Sequence, residues 1–406
     1  MPALKEETSI LRAPVVISDG EARSSLAATR SLGASGYEVH VLSTGVRSLA
    51  GVSRYAAHSH QVPPAASAPD AWCEAVEALL ARLQTPLFLP TTEIAAALSI
   101  DHGLCDRWRV ALPDSEAFHA AVDKHSLLLR ARELEIDVPQ STLVEDVQKL
   151  VELPSEHQFP VILKARRSRW FENGSWKEGG VRLVRDDAEL QSAARDPGFA
   201  GGCLIQEFIP GHGEGLFFLA DRGRIVARFA HQRLREKPPS GGISVLCKSV
   251  TPDPALLAAS ERLLAELHWH GVAMVEYRRS PTGRAVLMEI NPRLWGSLQL
   301  AIDSGVDFPR LMVELHSGER VDAAPGRSGG KLRWLFGDFD HLFIALRRQA
   351  MRAAVGRTRL GVIRVFIASF FDGSRLEVLR RDDLAPFFHE LRERIRGLFS
   401  PVRRRR

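Results

Sequence analysis

Two hard oxygen donors stand at the end of a short apolar run in residues 285–293, which read Ala-Val-Leu-Met-Glu-Ile-Asn-Pro-Arg. The run predicts a buried strand, and residues two positions apart on a strand point to the same face. Glu289 and Asn291 would therefore lie side by side, with Arg293 just beyond them. Carboxylate and amide oxygens suit Mg²⁺ held beside phosphates. Taken alone, the segment fits equally well a strand with a polar end that stops at proline.

A second carboxylate is expected to join this face. Residues 271–277 predict a strand that carries Glu276, and Pro-Thr-Gly-Arg at 281–284 predicts the turn to the next strand. Neighbouring antiparallel strands would bring Glu276 opposite Glu289, and adjacent carboxylates repel each other unless a cation lies between them. With Asn291 they form a set of three oxygen ligands, so the combined pattern favours a metal site.

The elements that must position these residues begin with a parallel sheet. Residues 14–20 and 37–43 predict strands, and a helical stretch at 24–33 joins them. This order is typical of a parallel sheet, where ligands bind at the carboxyl ends of strands. No GxGxxG motif is present, which argues against a dinucleotide site. At such strand ends, Ser25 and Glu93 are candidate substrate contacts. Ser25 is equally well explained as an ordinary turn residue. The Thr-Thr-Glu segment that ends in Glu93 more readily fits a helix cap.

Two lysines are placed where an anion could meet them. Lys124 opens a predicted helix, where the helix dipole disfavours a cation, so it either serves an anion or is simply exposed. Lys164 ends the apolar strand predicted at residues 159–164, and a lysine in that position usually extends to water. For each lysine, the sequence fits both an anion-binding role and simple exposure to solvent.

Two basic, glycine-bearing segments are candidates for phosphate or substrate binding. Residues 165–181 mix glycine, arginine and tryptophan, and their length favours a loop that folds over phosphates against a simple hairpin. Residues 231–242 predict a second basic loop. Arg233 and Arg235 alternate within it, so they would share a face if extended and are candidate contacts for an anionic substrate.

The composition indicates an ordinary globular protein. The chain has 406 residues, a net charge of +5, 45% hydrophobic residues and 25% charged residues, which predicts two or three packed subdomains. No run is long enough for a membrane span and the N-terminus has no secretory pattern, so a cytoplasmic setting is the default expectation. The four cysteines show no paired spacing and are predicted to be reduced core thiols.

The C-terminal part of the chain is the least informative. The arginine run at 403–406 favours a solvated tail and leaves open peripheral contact with anionic lipid. Nucleic acid is not favoured, because aromatic residues do not alternate with the basic ones. Helical patterns after residue 330 favour a packed subdomain, with an oligomer contact or a membrane-surface helix as the alternatives.

Together these motifs resemble the ATP-grasp superfamily, in its branch of carboxylate–amine ligases related to carbamoyl-phosphate synthase and biotin carboxylase. The resemblance spans about residues 14–315 and is most specific at Glu276 and at Glu289-Ile-Asn291-Pro-Arg293. It implies a fold of the α/β and α+β classes: a Rossmann-like subdomain at 1–115, an ATP-grasp domain of two α+β lobes at 116–325, and a mostly helical extension with a basic tail at 326–406.

The resemblance also implies roles for single residues. Glu276, Glu289 and Asn291 would bind Mg²⁺ or Mn²⁺ beside the phosphates of ATP, and Arg293 would assist an acylphosphate. Lys164 would contact the phosphates and act in catalysis. The remaining residues that it assigns to the nucleotide are Lys124, which opens the nucleotide-binding domain, the adenine hinge Gln206, Glu207, Phe208 and Ile209, and Glu214 near the ribose.

The expected function is ATP- and magnesium-dependent ligation. The resemblance implies that a carboxylate is activated as an acylphosphate and then captured by an amine, both of them small molecules. An ATP-dependent phosphotransferase on the same fold is one alternative. A non-catalytic nucleotide-binding regulator, with the basic tail docking on a partner, is the other.

Overall fold

A computed structural model of the chain describes residues 13–151, 158–239, 241–321, 323–349, 352 and 356–399. The N-terminus, on which the prediction of no secretory signal rests, and the arginine run at 403–406 lie outside these ranges. The strands are β1 (Val15–Ile17), β2 (Val39–Ser43), β3 (His58–Gln61), β4 (Leu87–Leu89), β5 (Arg109–Val110), β6 (Ser141–Val144), β7 (Val161–Ala165), β8 (Arg169–Glu172), β9 (Ser175–Glu178), β10 (Val181–Val184), β11 (Cys203–Glu207), β12 (His212–Asp221), β13 (Arg224–Lys237), β14 (Ile243–Ser249), β15 (Gly271–Arg279), β16 (Ala285–Asn291), β17 (Lys331–Arg333) and β18 (Arg375–Leu376). The helices are α1 (Arg23–Ala34), α2 (Pro69–Leu80), α3 (Glu93–Asp101), α4 (Leu104–Arg107), α5 (Ser115–Val122), α6 (Lys124–Glu133), α7 (Asp187–Ala193), α8 (Pro254–Glu266), α9 (Leu298–Asp303), α10 (Phe308–His316), α11 (Leu335–Arg347), α12 (Arg359–Ala368) and α13 (Ala385–Phe399).

The N-terminal part forms a parallel sheet, as its strand–helix–strand pattern predicts. The strand order is β3-β2-β1-β4-β5, and Val15 of β1 pairs with Val39 on one side and Leu87 on the other. The central strands are fully buried, since α1 packs on one face and α2 on the other. At the carboxyl end of β4, Thr92 caps α3 by accepting a hydrogen bond from Ala95 N at 3.3 Å. The capping predicted for this segment is confirmed.

A smaller antiparallel sheet forms a lobe with its own core. Its order is β10-β7-β11-β6, and the buried apolar side chains beneath it include Leu163 and Phe199. Lys164 follows Leu163 on β7, so alternation turns it to the opposite face. Its cross-strand neighbour Leu204 packs in the core of the large sheet rather than in that of the lobe. Lys164 therefore faces out of the lobe, toward the large sheet.

The largest sheet runs in the order β16-β15-β12-β13-β14-β17-β18. Val275 and Tyr277 of β15 belong to the core beneath α8, whereas Met274 belongs to the core shared with the N-terminal sheet. Glu276 alternates with Val275 and Tyr277, so it lies on the same side as Met274. This side is where the large sheet, the small lobe and the N-terminal sheet approach one another.

Strand β13 extends to Lys237, where the sequence predicts a basic loop over residues 231–242. The loop prediction was wrong because the charged side chains of this segment have partners within the fold, and the strand continues through them. Two register shifts occur in its pairing with β14, one between Arg233 and Arg235 and one between Arg235 and Glu236. The strict alternation assumed for the arginines is therefore broken.

The C-terminal extension is helical, as predicted, but it also adds β17 and β18 to the large sheet. Its helices α11 and α13 fall on the segments where helix was predicted. Arg30 of α1 secures it from the other side, donating to Asp383 Oδ2 at 2.8 Å and to the carbonyl of Val378 at 2.8 Å. Among the described residues, no helix combines the length and the apolar character that a membrane span needs.

Three of the four cysteines, Cys73, Cys203 and Cys247, are buried free thiols, as predicted. Cys105 is also free but exposed, which corrects the prediction of a core position. It lies on the four-residue helix α4, of which only Leu104 is buried.

Candidate active site

Glu276 and Glu289 face each other across β15 and β16. They are register partners, and Asn291 is the partner of Met274. The Asn291 side-chain amide donates to Glu289 Oε1 at 3.2 Å, and Arg293 Nη2 donates to Asn291 Oδ1 at 3.3 Å. The predicted grouping of the two carboxylates and the amide on one face is confirmed, with Arg293 beside it.

Two lysines reach Glu289 from outside the large sheet. Lys164 Nζ, from the small lobe, lies 2.7 Å from Glu289 Oε2, and Lys124 Nζ, from the first turn of α6, lies 4.0 Å from the same oxygen. Lys124 also donates to Ser168 Oγ at 2.8 Å. Burial raises the pKa of Glu289, but the two lysines outweigh it and hold that pKa well below its usual range. The carboxylate is therefore ionised at neutral pH.

Arg233 neutralises the second carboxylate. Its guanidinium donates to both oxygens of Glu276, at 2.9 and 2.5 Å, and its Nη1 lies 3.0 Å from Glu236 Oε1. This two-pronged contact is the strong geometry for arginine and carboxylate. Burial opposes the charged form, but the two glutamates raise the pKa of Arg233 above its ordinary value. The sequence predicts Arg233 as a substrate contact, and the structure pairs it with Glu276, a predicted metal ligand. Its role as a substrate contact stays a prediction.

The donor set fits a hard divalent cation. Mg²⁺ and Mn²⁺ prefer oxygen ligands, and this face offers the carboxylates of Glu276 and Glu289 and the side-chain oxygen of Asn291. Lys124 and Lys164 stand beside the carboxylates and add the positive charge that a polyanion needs. Together these groups suit a metal ion bound with a phosphate-bearing ligand.

The sequence matches, over residues 202–336, a family described as ATP-grasp in the biosynthetic pathway with Ter operon. That segment includes both carboxylates, Asn291 and Arg233. The chain is also 26% identical over 255 residues to the carbamoyl phosphate synthase large chain of Acidobacterium capsulatum, a match that covers 58% of this chain and 23% of that one. The chain contains an ATP-grasp domain.

Solved structures with the same fold align with most of the chain. The biotin carboxylase of Campylobacter jejuni, in its β,γ-ATP complex, aligns with a TM-score of 0.63 and 15% identity over 80% of this chain and 75% of that one. An N5-carboxyaminoimidazole ribonucleotide synthetase in its ADP complex aligns with a TM-score of 0.62 and 14% identity, over 79% and 81%. At these identities the similarity establishes the fold alone. The matched region spans about a quarter of the carbamoyl phosphate synthase large chains.

Arg235 and Ser25, both predicted substrate contacts, have hydrogen-bond partners other than the carboxylates of the ATP-grasp site. Arg235 is buried and donates to Asp338 Oδ2 at 2.8 Å, because the register shifts of β13 turn it toward the C-terminal extension. Ser25 is fully buried, donates to the carbonyl of Ser18 at 2.9 Å and lies 2.7 Å from Thr91 Oγ1. Each side chain completes a contact within the fold, and the role of both residues as substrate contacts stays a prediction.

Glu93 does face the ATP-grasp site. It lines a cavity of about 340 Å³ together with Arg169 and Trp170. Burial raises the pKa of the Glu93 carboxyl, and the positive charges of Arg293 and Lys124 act against that shift. Its role as a substrate contact stays a prediction, although its place beside these cations agrees with it.

The basic segment at 165–181 is a hairpin rather than a loop without regular structure. Strands β8 and β9 pair around Asn173 and Gly174, whose positive φ values of 49° and 74° suit a tight turn. The backbone N–H of Trp176 donates to the carbonyl of Ala66 at 3.3 Å, so the hairpin rests on the N-terminal part of the chain. Ser168, the partner of Lys124, enters the site from the start of this segment and was not identified from the sequence, since no motif marks it.

The residues predicted to hold the adenosine part of ATP form a separate group. Glu207 pairs with Arg284 at 2.8 Å, and Glu214 with both Arg279, at 2.8 Å, and His212, at 3.0 Å. The carbonyl of Ile209 accepts a hydrogen bond from Arg278 Nε. Gln206 donates to Ser141 Oγ, and its buried Oε1 has no hydrogen-bond partner within the described ranges. The nucleotide-binding roles of Gln206, Glu207, Phe208, Ile209 and Glu214 all stay predictions.

We expect Arg233→Met to lower the free energy of unfolding by about 3–5 kcal/mol, because Glu276 and Glu236 would keep buried charges without their partner. Added Mg²⁺ should restore part of that loss by supplying positive charge at Glu276. Urea unfolding with and without MgCl₂ measures both effects. Arg228→Met, on the same strand but with an exposed side chain paired to Glu261, is the matched control, expected within about 1 kcal/mol of the wild type. An equal loss of unfolding free energy in the two variants would contradict the role of Arg233 as the counter-charge of Glu276 and Glu236.

Proposed function

We propose that this chain is an ATP- and magnesium-dependent ligase that activates a carboxylate as an acylphosphate for attack by an amine. The observation that carries the proposal is the 2.7 Å contact between Lys164 and Glu289. Lys164 belongs to the small lobe and Glu289 to the large sheet, so the contact brings a cationic side chain of one lobe against the predicted metal ligands of the other. The carbamoyl phosphate synthase and N5-carboxyaminoimidazole ribonucleotide synthetase named above support ligation in general.

The divalent cation would be held by Glu276, Glu289 and Asn291. When bound, Mg²⁺ or Mn²⁺ supplies Lewis-acid stabilisation of charge on phosphoryl oxygens. Binding it requires that Glu276 and Glu289 exchange part of their pairing with Arg233 and Lys164 for the metal. Lys164 and Arg233 would then be able to pair with phosphate oxygens, which would keep the charge of the site balanced.

The other side chains act by position and charge. Lys164 and Lys124 would orient the triphosphate, and Arg293, beside Asn291, would stabilise the carboxylate and the acylphosphate formed from it. The substrate carboxylate attacks the γ-phosphate, ADP leaves, and an amine displaces phosphate from the acyl carbon. No protein nucleophile enters this sequence, so catalysis rests on orientation and electrostatics. The reaction suits a cytoplasmic setting, where ATP and Mg²⁺ are both supplied.

The test is an ADP-release assay with panels of carboxylates and amines, followed by trapping with hydroxylamine. A ligase should release ADP only when a carboxylate is present, and hydroxylamine should convert the acylphosphate into a hydroxamate. Removal of the metal with EDTA should abolish ADP release, and Mg²⁺ or Mn²⁺ should restore it. A stable phosphorylated product without any amine requirement would identify a phosphotransferase. Binding of ATP without turnover on broad panels would overturn the proposal.

Lys164→Met should lower kcat/KM for ATP by about 100-fold, since it removes one preorganised positive charge from the phosphate site. Methionine keeps most of the side-chain length, so the loss reports the charge rather than the packing. Lys149→Met, at an exposed position in the small lobe, is the matched control and should keep wild-type kinetics. Kinetics of Lys164→Met that equal those of the control would remove Lys164 from the site.

A further inference from the structure

Four metal-binding side chains gather on one face of the N-terminal sheet, away from the ATP-grasp site. Glu38 immediately precedes β2 and lies two positions before His40, and His58 and His60 lie two positions apart on the edge strand β3. His40 and His58 are register partners in this parallel pair, and His60 is the partner of Leu42. Alternation therefore places all four side chains on the same face.

Three of these side chains converge on a common point. Glu38 Oε1 lies 3.1 Å from His40 Nε2 and 3.2 Å from His58 Nε2. Possible ligand atoms of the three residues all lie within 4.8 Å of one another. Zinc bonds of 2.0–2.1 Å in a tetrahedral shell place neighbouring ligand atoms about 3.3 Å apart. The two spacings from Glu38 are close to that value, and the two histidine nitrogens lie within 4.8 Å of each other, so side-chain shifts would close the shell.

The fourth side chain, His60, contacts the ring nitrogen of His40 that faces away from Glu38. His40 Nδ1 lies 2.9 Å from His60 Nε2, and the two rings stack with an interplanar angle of 8°. If His40 binds a metal through Nε2, its Nδ1 carries the proton and donates it to His60. A ligating histidine almost always has such a partner for its second nitrogen, because the partner fixes the tautomer and the ring orientation.

We propose that Glu38, His40 and His58 bind a Zn²⁺ ion, with His60 as the hydrogen-bond partner of His40. Two imidazole nitrogens and one carboxylate are ligands that zinc favours over magnesium, and the fourth position is left to water. His58 and Glu38 are half-exposed, at 53% and 49% of the side chain, so the ion can enter from solvent. The site would join the edge strand β3 to β2.

The surrounding charges are compatible with this ion. Arg82 is a positive charge close enough to act on both His40 and His60. Arg82 itself is exposed, where solvent screens its repulsion of the ion. Glu38 supplies the negative charge that offsets the cation.

The site lies apart from the ATP-grasp carboxylates. His40 and His58 stand near the amino ends of their parallel strands, whereas Glu93, which faces the ATP-grasp site, follows the opposite, carboxyl end of β4. Zinc binding here is therefore separable from nucleotide binding. A variant that loses zinc binding should keep nucleotide binding, and a variant that loses nucleotide binding should keep zinc binding.

The test is zinc binding by the full chain without an affinity tag, measured by equilibrium dialysis and by the visible spectrum of the Co²⁺-substituted protein. We expect one Zn²⁺ per chain at this face and the absorption of tetrahedral Co²⁺. His58→Asn should weaken binding by about 100-fold or more, since loss of a ligand costs at least as much as loss of an outer-shell partner. His60→Asn should weaken it about 10- to 100-fold.

Matched controls separate this site from other zinc binding. His268→Asn makes the same chemical change at an exposed position whose positive φ of 46° asparagine tolerates, and it should bind zinc as the wild type does. Glu289→Gln should also keep this zinc. His58 is exposed, so His58→Asn should fold normally, as circular dichroism can verify. The proposal is overturned if His58→Asn and His268→Asn bind zinc equally, if Glu289→Gln removes the ion, or if the wild type binds none.

Discussion

Glu289→Gln is expected to lower carboxylate-dependent ADP formation by at least about 10³-fold, equivalent to about 4 kcal/mol of transition-state stabilisation. Glu289 is the shared partner of Lys164, Lys124 and Asn291, and a predicted ligand of the metal. Glutamine keeps the shape but removes the charge that binds a cation and positions both lysines. The loss should appear mainly in kcat, because the metal and the lysines stabilise charge that develops during phosphoryl transfer.

The effect on stability at different pH offers an independent measurement on the same variant. Because the folded pKa of Glu289 lies below its unfolded value near 4.3, the ionised carboxylate contributes stability at pH values above about 4.3. That contribution is lost as the pH falls through the folded pKa. The difference in unfolding free energy between wild type and Glu289→Gln should therefore be largest at neutral pH and shrink on acidification. A difference that grows toward acid pH would contradict the assigned pKa direction.

A control at an exposed glutamate distinguishes the site from general loss of charge. Glu266→Gln, on the solvent side of α8, removes the same charge and should retain wild-type turnover. Glu289→Gln must also show native circular dichroism, so that its inactivity reflects the site rather than misfolding. Turnover of Glu289→Gln within a few-fold of the control would exclude Glu289 from metal binding and from catalysis.

The centre of the candidate site could be predicted because its geometry is local. Glu276 and Glu289 are carried by adjacent antiparallel strands joined by a short turn, so strand alternation and the turn together determine which residues meet. Asn291 follows from the same alternation. The position of Lys164 at a strand end could also be predicted from the local pattern. Its contact with Glu289 could not, because the two residues lie on different sheets and no periodicity relates them.

The sequence could not predict contacts where local rules are interrupted or where the partners lie far apart along the chain. Arg233 and Arg235 appear equivalent by alternation, but two register shifts in β13 send one to Glu276 and the other to Asp338. The sequence carries no marker for these shifts. Arg30 and Asp383 are 353 residues apart, and nothing in either segment indicates the pairing that joins α1 to the C-terminal extension. Such contacts depend on the packed fold as a whole.

Strand β13 connects the C-terminal extension to the candidate site. Arg233 and Arg235 are two residues apart on this strand, and they bind Glu276 of the site and Asp338 of the extension. Asp338 Oδ2 also accepts from Arg333 Nε at 2.6 Å, so one fully buried carboxylate serves two buried guanidinium groups. The Arg333 guanidinium lies 4.0 Å from the centre of the Phe370 ring, which adds a cation–π contact. Asp338 is therefore the group on which this charge cluster depends.

Asp338→Asn should lower the free energy of unfolding by about 3–5 kcal/mol, because it leaves Arg235 and Arg333 buried without a counter-charge. Asp340→Asn is the matched comparison on the same helix. Asp340 is partly exposed and pairs with Arg394 and Lys237, so its loss should cost only about 1 kcal/mol. Urea unfolding of both variants measures the difference. If Asp338→Asn is no more destabilising than Asp340→Asn, the charge cluster around Asp338 does not stabilise the packing of the extension on β13. The proposed connection between the extension and Arg233 would then be contradicted.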